Sequence, residues 1–188
     1  MKKLIVFAMK EEAQSFFKEE HVIFTGIGKV NATFSLTQKL TEMKALGQLP
    51  DLVINFGSAG SPIFRTHELV EITSFVQRDM DVSPMGIPKY RTPYESAPWK
   101  LGSSQRFFPE LAEGVAGTGD SFDISGQAPE WNVVEMEAFA LAKVCWFLKI
   151  PFCSVKYITD GADHGAHNDF AANLPKAAAQ FWDLHKKL

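Results

Sequence analysis

At 188 residues the chain suits one sizeable domain, residues 1–188, and is short for two. Its 46% apolar and 22% charged residues match globular averages, which excludes a disordered chain or a fibre. The formal charge is −3 and the lysines and arginines are scattered, so no basic stripe is available to displace counterions from nucleic acid.

In chain order, Leu4–Ala8 opens as a short apolar run that meets Lys10-Glu11-Glu12 at once. That is too short for a secretory core, so it reads as a buried first strand and not a leader. A helix over Lys10–Glu20 follows, with Phe16 and Phe17 inward, then a second strand over His21–Gly26. Helix signals run from Val30 to about Leu46 and close at Gly47. Leu52–Phe56 is apolar enough for a central parallel strand and ends at Gly57-Ser58-Ala59-Gly60. Leu69–Val76 predicts a further strand.

Residues 79–110 hold five of the ten prolines (Pro84, Pro88, Pro93, Pro98 and Pro109) and read as a long loop. Gly114–Thr118 predicts a strand running into Gly119-Asp120-Ser121-Phe122, and Val133–Lys149 a helix apolar nearly all round, hence buried. Phe152–Ile158 is another central strand, ending at Thr159-Asp160, and a last helix runs from Phe170 or Leu174 to Lys187. Such alternation implies an α/β fold with a mostly parallel sheet, whose ligands sit at the carboxyl ends of the strands. No stretch approaches the ~20 apolar residues that span a bilayer. Cys145 and Cys153 lie in apolar surroundings without a C-x-x-C pattern, which points to reduced core thiols and a cytoplasmic chain.

The strand ends carry the chemistry. Gly26-x-Gly28 opens a dinucleotide fingerprint but lacks its third glycine, and no Walker lysine follows Gly57–Gly60, which equally suits a plain turn. Glu135 and Glu137 fall in the first turn of the Val133–Lys149 helix, ~200° apart. One carboxylate suits a helix N-terminus. The second is left needing a partner, such as a ligand with paired hydroxyls. Asp160 reads either as a cap or turn former or as an acid held in a cleft. Asp163, His164, His167 and Asp169 have no third ligand of known metal spacing and read as a solvated loop. Ser58 is not in a G-x-S-x-G elbow, so a serine triad is set aside. The 16 phenylalanines beside 3 tyrosines and 4 tryptophans suggest a thick core or a pocket for something flat.

Seven collinear segments together resemble the purine nucleosidase/phosphorylase superfamily, and most nearly its 5′-methylthioadenosine/S-adenosylhomocysteine nucleosidases. They are A-M-K-E-E (Ala8–Glu12), T-G-I-G-K-V (Thr25–Val30), P-D-L-V-I-N-F-G-S-A-G (Pro50–Gly60), R-D-M-D-V (Arg78–Val82), T-G-D-S-F (Thr118–Phe122), V-E-M-E-A (Val134–Ala138) and I-T-D-G-A-D (Ile158–Asp163). The resemblance implies a central mixed, mostly parallel sheet flanked by helices, a homodimer, and hydrolysis of the adenine–ribose bond without metal or cofactor.

It also implies roles. Glu12 would activate water and Asp160 would protonate N7 of the leaving purine. Glu135, Met136 and Glu137 fall around the ribose hydroxyls, Ser58-Ala59-Gly60 and Thr159 beside the ribose and base. Phe122 would stack on the base, and Met85 falls where a second subunit covers the 5′ substituent. The chemistry suits these residue types, because an oxocarbenium-like state needs a base for water and an acid for the leaving group. Asp160 must then hold its proton well above the ordinary ~3.9, which requires burial.

The chain departs from the pattern in four places. Lys156 stands where the nucleosidases usually have an arginine near the ribose, and Asp123 stands where an apolar residue flanks the base. The hairpin after the first helix is missing, and the stretch from Phe122 to Val134 is short. Asn55 replaces the arginine by which related phosphorylases hold phosphate, so water is the expected nucleophile. The alternatives are cleavage of another nucleoside such as futalosine, phosphorolysis, or nucleoside binding with reduced turnover.

Overall fold

The computed structural model describes residues 1–17, 21–124, 128–163 and 166–188, apart from the side chains of His167 and Asn168. The central run is β1 (Lys3–Phe7), β3 (Leu52–Gly60) and β8 (Phe152–Asp160), mutually parallel with β1 on β3 and β3 on β8. β2 (Val22–Phe24) extends the β1 edge in parallel. On the other side β8 pairs antiparallel with β4 (Leu69–Gln77), which is parallel to β6 (Ala112–Thr118) and antiparallel to the short β5 (Lys100–Gly102). β7 (Val133–Glu135) lies parallel to β6 and touches β3 at Gly60↔Val134, so β3, β8, β4, β6 and β7 close into a ring. The expected mixed, mostly parallel sheet is present, with more curvature than the pattern suggests. No strand lies between the first helix and β2 among the described residues.

Alternating side chains of the central strands feed two cores. Leu4 and Val6 pack with Leu36 and Leu40 of α2 (Lys29–Ala45) and Leu141 of α3 (Ala138–Leu148). Ile5 and Phe7 pack on the opposite face with Phe56, Tyr157 and Phe181 of α5 (Ala177–His185). The phenylalanine excess settles mostly here: Phe7 meets Phe17 at 4.9 Å between centroids and Phe56 stacks on Phe181 at 5.0 Å. Cys145 and Cys153 are buried free thiols, and burial raises both above the ordinary thiol range.

Several boundaries differ from the sequence expectations. α1 is only Lys10–Ala13, ended by Gln14 at φ 48°, and residues 18–20 of the expected helix lie outside the described residues. The proline-rich loop contains β5 and a 3-10 turn at Ser83–Met85. The last helix divides at Pro175 into α4 (Ala166–Asn173) and α5, because proline cannot donate to the helical ladder. The largest correction is at Val133–Lys149. Its first three residues form β7, since Val133 and Val134 pair with Ala116 and Gly117 of β6, and the helix begins only at Ala138. Nor is α3 buried all round, for Trp146, Phe147 and Leu148 at its end are exposed.

Candidate active site

A cavity of about 220 Å³ opens at the carboxyl ends of the strands. Ala8, Met9 and Glu12 approach from the β1–α1 corner and Ser58, Ala59 and Gly60 from β3. Ser121, Phe122 and Asp123 follow β6, Glu135, Met136 and Glu137 lead from β7 into α3, and Thr159 and Asp160 end β8. β3 and β8 run further than their apolar cores suggest, so Gly57–Gly60 is strand and not a plain turn.

Glu12 is buried and takes four donors. Its Oε2 accepts the N–H groups of Ala8 (3.0 Å) and Met9 (3.1 Å), and its Oε1 accepts the N–H and hydroxyl of Ser58, both at 2.9 Å. The Met9 bond is half of a capping box, which gives so short a helix a fixed start. The same bonds aim the carboxylate at the cavity wall. Gly57 leaves room behind it: a Cβ there would lie 3.3 Å from Glu12 Oε1 and 3.1 Å from Lys156 Nζ.

The two glutamates of V-E-M-E do different work. Glu135, at the end of β7, caps α3: its Oε2 accepts the N–H groups of Glu137 (2.9 Å) and Ala138 (2.7 Å), while Thr118 donates its hydroxyl to Oε1. Lys156 lies 3.0 Å from the same Oε2. Burial works to raise the Glu135 carboxyl, but Lys156 and these donors hold it below its ordinary range. Both oxygens are thus engaged within the protein, although the residue borders the cavity. Among the described residues, Glu137 takes only a 2.8 Å bond, from Gly28 N–H at the start of α2. Burial, reinforced by Glu135, raises its carboxyl to about 7. Neither glutamate lies in the first turn of a helix, which corrects the sequence expectation. Their separation comes from the strand-to-helix corner.

Asp160 is buried, and that burial raises its carboxyl, helped by Asp169 and Asp163. Ala162 N–H donates to Oδ1 at 3.0 Å, and Thr159 Oγ lies 2.8 Å from Oδ2 and 3.2 Å from the Ala59 carbonyl. One hydroxyl proton serves two acceptors there. When Oδ2 itself carries a proton both contacts can be satisfied, so the geometry suits a protonated carboxyl.

Of the candidate residues, Lys156 and Met85 do not line the cavity. Lys156 is fully buried behind it, and Met85 is exposed on the 3-10 turn. Asn55 turns into the sheet, donating to Val6 and Phe56 carbonyls and accepting from Ser154. The partial dinucleotide fingerprint is also accounted for: the N–H groups of Gly28 and Lys29 go to Glu137 and Asp120. His164 lies outside the described residues, as does the side chain of His167, and among the described residues no three metal-binding side chains cluster. The cavity also includes Ile27, Arg78, Val134 and Phe170, which were not singled out. Arg78 had a signal, since it opens R-D-M-D-V. Phe170 had none, because α4 is spaced from every motif.

The sequence profile of the phosphorylase superfamily matches residues 16–188. The chain is 34% identical over 182 residues to the 5′-methylthioadenosine/S-adenosylhomocysteine nucleosidase of Haemophilus influenzae strain PittEE, covering 87% of this chain and 77% of that one. It is 32% identical to the enzyme of the same name from Anoxybacillus flavithermus, covering 85% and 75%. Among solved structures it is similar to the futalosine hydrolase of Helicobacter pylori strain 26695, with a TM-score of 0.83, 25% identity, and 99% and 96% of the two chains covered. The nucleosidase of Neisseria meningitidis in complex with methylthio-immucillin-A gives 0.82, 25%, and 100% and 98%.

Proposed function

This chain belongs to the phosphorylase superfamily, and on that premise we propose that it is a purine nucleosidase that hydrolyses the N-glycosidic bond of an adenosine-type nucleoside such as methylthioadenosine. The observation that carries the reading is the convergence of Glu12, Glu137 and Asp160 on one cavity at the strand ends, with Asp160 raised by burial. Asp160 donates its proton to N7 as the C1′–N9 bond breaks, and the bond electrons leave with the purine. Glu12 takes a proton from water, whose oxygen bonds to C1′. Glu137 accepts the ribose hydroxyls, and the base lies against Phe122. The products are the free base and the 5′-substituted ribose.

Water as nucleophile is supported by Asn55, which supplies no cation for phosphate and is turned into the sheet. A homodimer goes with the reading, because Ile27, Val30 and Phe34 leave an apolar face beside the start of α2 and Met85 stands free of this chain's own cavity. Residues 1–188 then act as one catalytic domain, in a cytoplasmic setting that suits the two buried free cysteines. The futalosine hydrolase likeness favours a second substrate, futalosine, cleaved by the same residues. Incubation with methylthioadenosine or futalosine in phosphate-free buffer, followed by measurement of free base, tests both. Release only on adding phosphate indicates a phosphorylase, and tight binding without release refutes hydrolysis.

A further inference from the structure

Arg78, just past the end of β4, reaches under the segment that follows β6. Its guanidinium donates to Ser121 Oγ at 3.1 Å, to the Ser121 carbonyl, and to the Gly119 carbonyl at 3.4 Å, and Asp123 Oδ2 lies 3.5 Å away. The Arg78 side chain is only 8% exposed and the Asp123 side chain 14%. Gly119 admits this packing, for a Cβ there would stand 2.7 Å from Arg78 Cζ. A second strap lies alongside: Lys29 Nζ is 2.5 Å from Asp79 and 2.8 Å from Asp120, and Asp120 N–H donates to Asp79 at 3.0 Å.

Phe122, flanked in the chain by the Arg78 partners Ser121 and Asp123, is half-exposed, with its ring edge-on to Phe170 at 6.3 Å between centroids. Stability alone is a poor account of Arg78. A pair as buried and as long as Arg78–Asp123 gives up much of its Coulomb gain to desolvation. Arg78 Nε is moreover buried with no hydrogen-bond acceptor among the described residues, which costs stability. What the arrangement does achieve is a fixed wall: one planar group holds three loop acceptors and a carboxylate, and borders the cavity beside the ring it positions.

We propose that Arg78 is a positioning residue for the base: paired with Asp123, it holds the Gly119–Asp123 segment so that Phe122 presents a preorganised face to the purine. The proposal rests on the nucleosidase reading for its substrate but not for its structural consequence. Fixing the wall before binding removes an ordering cost that otherwise appears in affinity, so the effect belongs in KM more than in kcat.

The test compares Arg78→Met, Arg78→Lys and Asp123→Asn in the full chain, by methylthioadenosine kinetics and by hydrogen exchange of amides 117–124 without substrate. Arg78→Met is expected to raise KM about tenfold or more with kcat changed by less than about threefold. The loop amides are expected to exchange about tenfold faster. Arg78→Lys keeps the charge without the fork and is expected to recover only part of both, and Asp123→Asn to shift KM the same way by about threefold. Unchanged KM, or a loss confined to kcat, in variants that keep a cooperative thermal transition overturns the proposal. If Arg78→Met does not fold, Asp123→Asn decides by the same criteria. Should the native chain release no base from any nucleoside, the nucleosidase reading fails, and unchanged loop exchange in Arg78→Met or Asp123→Asn then overturns the positioning role by itself.

Discussion

The Lys156 ammonium lies 3.0 Å from Glu135 Oε2, and neither side chain is more than 1% exposed. Burial alone would depress the lysine, but Glu135, Glu137 and Glu12 hold it above its ordinary range. One buried cation therefore serves three carboxylates, all of which belong to residues lining the cavity. The lysine is buried behind the cavity and does not line it. Because Glu135 also accepts the first N–H groups of α3, the pair fixes the corner from which Glu137 projects.

Removing Lys156 leaves that carboxylate buried without its cation. Lys156→Met is expected to destabilise the fold by about 3–5 kcal/mol, measured by denaturant unfolding. The double variant Lys156→Met/Glu135→Gln removes both charges and is expected to recover part of the loss. A single variant as stable as the native chain would mean that Glu135 is held by its hydrogen bonds alone.

In the proposed hydrolysis, Asp160→Asn would remove the proton given to the leaving base, and Glu12→Gln the acceptor for the proton of water. Each is expected to lower the rate of base release by about 10²–10⁴-fold. Glutamine also disturbs the four donors around position 12 and is expected to lower the melting temperature slightly; Asp160→Asn leaves the acceptor for Ala162 and is not. Base release measured with methylthioadenosine, beside thermal melts, checks both. Near-native rates in either variant would remove that residue from the mechanism.

The raised carboxyls give two pH dependences of known sign. Glu137 binds its proton more tightly folded, at about 7, than at the ordinary 4.5, so its contribution is present below pH 4.5. Stability then falls as pH rises from about 4.5 to about 7, and Glu137→Gln is expected to flatten that slope in denaturant unfolding. An ionised carboxylate is the stronger acceptor for hydroxyls, so if Glu137 holds the ribose as proposed, nucleoside binding is expected to tighten over the same rise. Asp160 would work in the other direction: as the proposed acid it acts protonated, so kcat is expected to fall as pH passes its raised value. Calorimetric binding and kcat profiles separate the two groups.

Most of the candidate site was legible because α/β folds gather chemistry at strand ends, and β1, β3 and β8 are announced by largely apolar runs, whereas β5 and β7 are not. The glutamates of V-E-M-E show where that logic stops. Val133-Val134-Glu135 is contiguous with the helix, with no glycine or proline between them, and its β character comes from pairing with β6, a contact between residues distant in sequence. Lys156 misled in the opposite way, since position in a motif cannot tell a side chain behind the cavity from one inside it. Arg78 opens a quoted motif, but its contacts with the segment after β6 come from the fold, and Phe170 is brought there only by α4.

Gly60 offers the sharpest test of how closely Asp160 is held. The bulge in the β3–β8 register at Ala59/Gly60 sets Gly60 opposite Asp160, and a Cβ on Gly60 would lie 2.5 Å from Asp160 Oδ1. The same Cβ would meet Ala162 Cβ at 3.1 Å and Val134 Cγ2 at 3.3 Å, so the strand has no room to yield on either side. The carboxyl is what must move, and moving it breaks the Ala162 bond to Oδ1. Gly60→Ala is therefore expected to destabilise the chain by about 1–3 kcal/mol through overpacking. Base release is expected to fall by about 10²-fold or more, since a misplaced acid cannot meet N7. Kinetics beside denaturant unfolding distinguish the two effects. Gly102→Ala is the control, because among the described residues a Cβ there meets only the Thr73 carbonyl, at 3.9 Å, and is expected to change neither by much. Full activity in Gly60→Ala would show that Asp160 can act from a second position, and would remove the requirement for glycine at the end of β3.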